Sequence, residues 1–275
     1  MICSEFDSDL TDEAWVLVKA FIPPPLYGGR PRKTALRGVV NGILYILKTG
    51  AQWRQLPKHN FPPWQTVYGY FRLWKEQGVW ERIHIGLHGI VRSMAGHSPI
   101  PSAIVIDSQS VKTGKMASIE SRGFDGGKRI KGRKRHIVVD TLGLLVDVSV
   151  TPANVHDTKG AQDVLSKIAA YKKTAKKIQT IFADVGYGGA NFAGWVKGKL
   201  KAVVEIGKNL TTKFTGFIPA KKRWVVERGF AWIGDYRRLS VDHERLCEVS
   251  SEFIKIAFIN LMLRRLWPPK RRGWV

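Results

Sequence analysis

A chain of 275 residues and 31.0 kDa has room for one large domain or two modest ones. Its 44% hydrophobic and 11% aromatic content is ample for a real core and excludes global disorder. Lys and Arg number 45 against 22 Asp and Glu, a net charge of +23 that points to a polyanion, nucleic acid first. The excess is uneven: residues 1–100 carry +5 and residues 101–275 carry +18. Two cysteines, Cys3 and Cys247, are too few for a metal cage or a disulfide framework and suit a reducing cytosol. The opening MICSEFDSDLTDE is acidic and polar, unlike a cleaved signal peptide. The most apolar run, Phe253 to Leu266, is interrupted by Lys255, Asn260, Arg264 and Arg265, so it reads as a packing helix and not a membrane span. The expectation is a soluble, cytoplasmic protein.

In chain order, the first hundred residues read as helical and rich in tryptophan. Ser8 or Thr11 caps a helix through about Phe21, with Glu13 in its first turn. The proline- and glycine-rich PPPLYGGRPRK (23–33) breaks the pattern, and a second helix over Thr34–Lys48 puts Leu36, Val39, Val40, Ile43, Leu44 and Leu47 on one stripe. A third helix opens in FPPWQTVYGYFRLWKEQ (61–77), where prolines at the start cost little, and a fourth runs to about Met94. Trp64, Trp74 and Trp80 suit the core, while Gln65, Thr66 and Tyr68 could face a groove. Short helices joined by tight turns suggest a helix-turn-helix-like DNA-binding domain over residues 1–98, with a plain helical bundle as the bland alternative. Arg30 and Arg32, on a rigid turn, could lie in a minor groove, and Arg37 and Arg72 add positive charge nearby.

After Pro99–Pro101 the pattern changes, and residues 99–275 read as a second, α/β domain. SAIVID (102–107), RKRHIVVD (133–140) and GLLVDVSV (143–150) are strand-like, the last two forming a hairpin through Thr141-Leu142. A helix over about Asp157–Lys173 follows, then TIFAD (180–184), a helix near Gly189–Lys199, AVVEI (202–206), and a mostly helical tail from Lys221. Three leading strands followed by helix–strand–helix–strand–helix is a mixed-sheet order that matches the ribonuclease H-like arrangement.

Two of these strands end in aspartate, Asp107 and Asp184, at the sheet rim where ligands bind. Glu227, in KKRWVVERGFAW (221–232), is a third candidate; the separations are 77 and 43 residues. One strand-end aspartate alone is more often a turn former or helix cap, and Glu227 could simply pair with Arg223. Together, in so basic a chain, three carboxylates form a hard-oxygen site for Mg²⁺ or Mn²⁺. Two such ions about 4 Å apart would clamp the attacking and leaving oxygens of a phosphoryl transfer. Lys128, Arg129, Lys131, Arg133, Lys134 and Arg135 form a basic run that reads either as a solvated loop or as a clamp on the DNA backbone. His136 and His156 lack metal-ligand spacing, and His156-Asp157 reads as a helix cap.

AIVIDSQSVKTG, GGKRIKGRKRHIVVDTLGLL, TPANVHD, IFADVGYGG and KRWVVERGFAWIGDYRRL together resemble the DDE transposases of bacterial insertion sequences, most of all the IS-five group of the IS-four-like superfamily. The likeness runs from LTDEAW through FIKIAFINLMLRRL. It implies that Asp107, Asp184 and Glu227 are the catalytic, metal-holding triad. Around the glutamate, Arg223 fits the family's arginine, while Ala220 and Gly234 stand where a tyrosine and a basic residue are usual; Arg237 or Arg238 are substitutes, with Arg228 beside them. The resemblance further implies double-stranded DNA as partner (element ends and target), a homodimer or larger synaptic assembly, and action at the bacterial nucleoid. A nuclease of the same fold without strand transfer, or a domesticated DNA-binding protein, are the alternatives.

Overall fold

The computed structural model describes residues 6–25, 28, 32–207 and 223–268. The Thr11 side chain accepts the amide of Ala14 and opens α1 (Asp12–Lys19), whose acidic first turn suits the helix dipole. The apolar stripe of α2 (Leu36–Thr49) ends at Gly50, in the left-handed region at φ 73°, whose amide bonds back to Ile46. A side chain at Gly50 would also crowd the backbone of Arg237. Pro63 precedes α3 (Trp64–Glu76), and α4 (Val79–Met94) follows Gly78. Trp74 and Trp80 are buried edge to face between α3 and α4, as their spacing suggested.

The strands are β1 (Ala103–Lys112), β2 (Gly123–Asp125), β3 (Ile130–Asp140), β4 (Leu145–Pro152), β5 (Thr180–Ala183) and β6 (Val203–Ile206). They order as β4-β3-β1-β5-β6, with the short β2 pairing the first residues of β3. β1, β3 and β4 are antiparallel, whereas β5 and β6 run parallel to β1. That is the ribonuclease H-like order expected from the sequence. β1 runs five residues past the aspartate expected to end it, because SQSVK carries no clear apolar alternation, and the three-residue β2 was not foreseen. Asp140 makes the hairpin turn: its Oδ1 accepts the amides of Leu142 and Leu144, and Gly143 takes φ 78°.

The remaining helices are α5 (Asp157–Ala170), α6 (Lys172–Lys177), α7 (Ala190–Leu200), α8 (Arg223–Gly234), α9 (Arg237–Ser240) and α10 (Cys247–Leu266). The helix expected to reach Lys173 breaks at Tyr171, and α6 continues separately. α5 and α7 cover one sheet face, over Ile104, Ile106, Val138 and Ile181. On the other face Val105, Ile137 and Val139 pack with α8, α10 and the N-terminal helices in one continuous core from Leu10 to Leu263. The N-terminal helices thus share their core with the sheet and α10. Lys255 of α10 ties them together through Glu81 of α4 and, at 3.4 Å, Asp147 of β4. No helix among the described residues is long and apolar enough to cross a membrane.

Candidate active site

Strand alternation decides which face each aspartate occupies, Asp107 midway along β1 and Asp184 just past β5. On β1, Ile104 and Ile106 point to the α5–α7 core and Val105 to the α8–α10 core, so Asp107 falls on the α8 side. On β5, Ile181 and Ala183 face α5–α7 and Phe182 packs opposite, so the extended Asp184 also falls on the α8 side. Val105 pairs with Phe182 in the parallel ladder, and continuing that register sets Asp107 beside Asp184. Backbone amides hold both: Asp107 Oδ1 accepts from Ser108 at 2.7 Å and Asp184 Oδ1 from Gly186 at 2.9 Å.

α8 crosses this same face. Gly229 faces Ile137 and Val139, the β3 partners of Asp107 and Val105, so the helix passes at the level of the first aspartate. Val225, Val226 and Ile233 are buried beneath it, which leaves Glu227 exposed two residues before Gly229. The fold therefore brings Asp107 and Asp184 together and puts Glu227 on the same side of the sheet. Among the described residues, however, no three His, Cys, Asp or Glu side chains form one metal-holding group.

Beneath the two aspartates lies a polar layer that sequence reasoning missed. Tyr187 is buried, and burial, then the charges of Asp107 and Asp157, push its hydroxyl well above the ordinary tyrosine range. Ser108 Oγ donates to Asp157 at 2.9 Å, and Lys134 Nζ reaches the same carboxylate at 2.9 Å. Burial works against the charge of Asp157, but the bonds from Lys134 and Ser108 outweigh it, and its pKa falls. The signal was Asp157 at the start of α5, which sequence spacing could place only as a cap. His156 is indeed that cap, its Nδ1 accepting the Thr158 amide. Burial pushes His136 down to about 4, neutral beside Thr151.

The basic run divides in two. Lys128 and Arg129 are exposed on the β2–β3 turn and Lys131 at the start of β3, and Lys128 Nζ donates to Ser108 O at 3.2 Å. Arg133, Lys134 and Arg135 are buried, which corrects the expectation that they clamp DNA, because β3 is a central strand covered on both faces. Arg133 pairs with Asp242 at 2.9 Å and donates to Arg245 O and Ser121 Oγ. Burial lowers Arg135 to about 10, and its guanidinium donates to Leu239 O at 2.7 Å. Arg238 is likewise internal, on Glu244 at 2.7 Å and over the Phe253 ring, whereas Arg237 stays exposed.

Of the other candidate DNA contacts, Arg32 donates to the carbonyls of Pro23 and Pro24 and braces the proline turn. Arg37 ties α2 to α1 through Asp12 and Leu10 O. Arg72 is exposed on α3 near Glu76. Arg228 is sandwiched between Trp224 and Trp232 and donates to Leu142 O. Arg30, Ala220 and the side chain of Arg223 lie outside the described residues.

Residues 98–263 match the family model for the transposase DDE domain, and residues 10–84 match that for transposases of the IS4/5 family. An uncharacterized 16.2 kDa protein of insertion element IS402 from Burkholderia cepacia is 31% identical over 38% of this chain and 72% of its own length. A protein named as a transposase for IS402 from the same organism is 30% identical over 46% of this chain and 60% of its own length. One named as a transposase for IS6501 from Brucella ovis is 27% identical over 48% of this chain and 98% of its own. The catalytic core domain of BIV integrase aligns with 63% of this chain and 87% of its own at 16% identity and a TM-score of 0.33, too loose a likeness to add to the strand order. The DDE-domain model spans 166 residues, more than half of the chain, and the IS4/5 model covers the helices before it: the chain belongs to the DDE-domain transposases of insertion elements.

Proposed function

We propose that the chain binds the terminal inverted repeats of its insertion element, cleaves the ends by metal-dependent hydrolysis and joins the freed 3′ ends to target DNA. What supports this is the register of β1 and β5, which carried on beyond Val105 and Phe182 sets Asp107 beside Asp184, on the face that α8 crosses with Glu227. All three offer hard carboxylate oxygens, a donor set that suits Mg²⁺ or Mn²⁺, and two ions fit the family chemistry. When bound, such ions stabilise charge on the attacking and leaving oxygens.

The residues do the rest. The amides of Ser108 and Gly186 fix the two aspartates, and Tyr187 closes the layer below them. In the first step water attacks the scissile phosphorus, the P–O3′ bond breaks, and the 3′ oxygen leaves as a hydroxyl. In the second, that hydroxyl attacks a target phosphodiester, and the target's own 3′ oxygen leaves. Lys128, Arg129, Lys131 and Arg237 are exposed to hold phosphates without reading bases. Residues 1–98 supply sequence preference, with the exposed stripe of Gln65, Tyr68 and Arg72 on α3 as the groove-facing edge. Two ends joined in one event require a homodimer or larger synaptic assembly.

The test is cleavage of the element's end, and joining of a pre-cut end, in Mg²⁺ with the full chain. Cleavage without joining would make the chain a nuclease of the same fold; neither, with end binding intact, would leave a DNA-binding protein only.

A further inference from the structure

We propose that the sheet end opposite the carboxylates, formed by α6 and the C-terminal turn of α7, is a second, sequence-independent binding surface for duplex DNA. The inference rests on DNA being the substrate, but not on the identity of the catalytic residues.

The charge there is one-sided. Lys172, Lys173, Lys176 and Lys177 on α6 and Lys197, Lys199 and Lys201 around the end of α7 are all exposed. Between Lys172 and Lys201 the only acidic residue is Asp184, which sits at the other end of β5. None of these seven lysines forms an ion pair with a described carboxylate, whereas Lys167 on neighbouring α5 lies 3.8 Å from Asp163.

The topology gathers them. Gln179 N donates to Ser102 O, and Val203 N donates to Gln179 O, so the N-terminal ends of β1, β5 and β6 lie side by side. α6 closes at Lys177 just before β5, and α7 with its cap closes at Lys201 just before β6. Lys176, Lys177, Lys199 and Lys201 therefore meet at one edge of the molecule. From there to Asp184 is five residues of extended chain, about 17 Å. A strand whose phosphate lies at the carboxylates cannot present that same phosphate to the lysines. The surface needs a further stretch of duplex.

Two features favour a phosphate backbone over mere solvation. Lys201 holds φ 59° at the α7 cap, a left-handed position where glycine is the usual occupant, so a strained site carries a charge it does not need for the turn. The patch also contains lysines and no arginine, point charges that suit phosphates but not bidentate base reading.

The experiment compares the full chain with a variant carrying Lys176→Gln, Lys177→Gln, Lys199→Gln and Lys201→Gly, the last a residue the left-handed turn accepts. Binding to a random duplex of about 40 base pairs is measured by anisotropy across salt from about 50 to 300 mM. The expected result is a loss of affinity of about tenfold or more at the lower salt. The slope of log affinity against log salt should be shallower by about 3 to 4, since each lost phosphate contact removes roughly 0.9. Unchanged melting confirms that the variant folds. A wild-type chain that binds duplex with the same slope as the variant overturns this surface alone. A wild-type chain that binds no duplex overturns the DNA reading as well. Displacement of the duplex by polyglutamate of matched charge as readily as by DNA would make the partner an acidic protein and overturn the proposal.

Discussion

The interior that joins the helices to the sheet and the two ends of that sheet use charge in opposite ways. Inside, Arg92 meets Asp140 and Arg133 meets Asp242 out of water, and Arg238 meets Glu244 and Lys255 meets Glu81 in partly buried pairs, each cation matched to a carboxylate. Toward the C-terminal end of β5 the register sets two aspartates on one face, and at its N-terminal end four exposed lysines gather. Buried pairs offset their own desolvation and hold position; like charges at an edge recruit something from outside. Much of the arginine in this basic chain is thus a structural component, and much of the lysine is not.

The comparison breaks most sharply at Asp184. Asp184→Asn should lower cleavage by about 10⁴-fold, worth roughly 5 kcal/mol of transition-state stabilisation, with the melting temperature unchanged or slightly raised. Cleavage and calorimetry on one preparation check it, and retained cleavage would remove Asp184 from the site.

Arg133→Met should do the reverse. It leaves Asp242 buried without its cation and should cost roughly 3–5 kcal/mol of stability by denaturant titration. A variant as stable as the parent would show that the pair is not held as described. Asp140→Asn belongs with it, although the hairpin position alone would have made it a neutral control. The carboxylate is buried against Arg92 and His88, whose bonds outweigh burial and lower its pKa. The expected loss is about 3 kcal/mol with cleavage retained while the protein is folded. Inactivity in a folded Asp140→Asn would move chemistry into the interior.

A smaller effect tests the seam between α10 and α4. Burial raises Glu252 to about 7, with Lys255 opposing. A carboxyl raised in the folded state stabilises below its unfolded pKa, near 4.5, and that contribution is lost as pH climbs through about 7. Stability should therefore fall by on the order of 2 kcal/mol across that window, and Glu252→Gln should flatten the fall. Stability profiles that coincide for the two proteins would place Glu252 in water. Smallest of all, Lys128→Gln, Arg129→Gln and Lys131→Gln together should weaken DNA binding about tenfold on every sequence alike, with stability unmoved. A change of sequence preference would make that turn a base reader.

Local chemistry fixed a good deal of this in advance. The Thr11 cap, the stripe of α2, the strands around Asp107, Asp140 and Asp184, and the mixed order of the sheet are all near-neighbour patterns, because periodicity and capping act within a few residues. Asp107 and Asp184 stood out as candidates for the same reason, each following a short apolar run, although β1 continues to Lys112. The fate of a charge was not legible. The run KRIKGRKR (128–135) says nothing about whether a strand will be central, and burial of Arg133 and Arg135 follows only from β1 and β4 flanking β3 with helices over both faces. Nor could spacing show that α10 would close one core over both the N-terminal helices and the sheet, or that Asp157 and Lys134 would meet beneath Asp107. Those contacts join residues far apart in the chain, and their partners are chosen by three-dimensional packing, which no local pattern encodes.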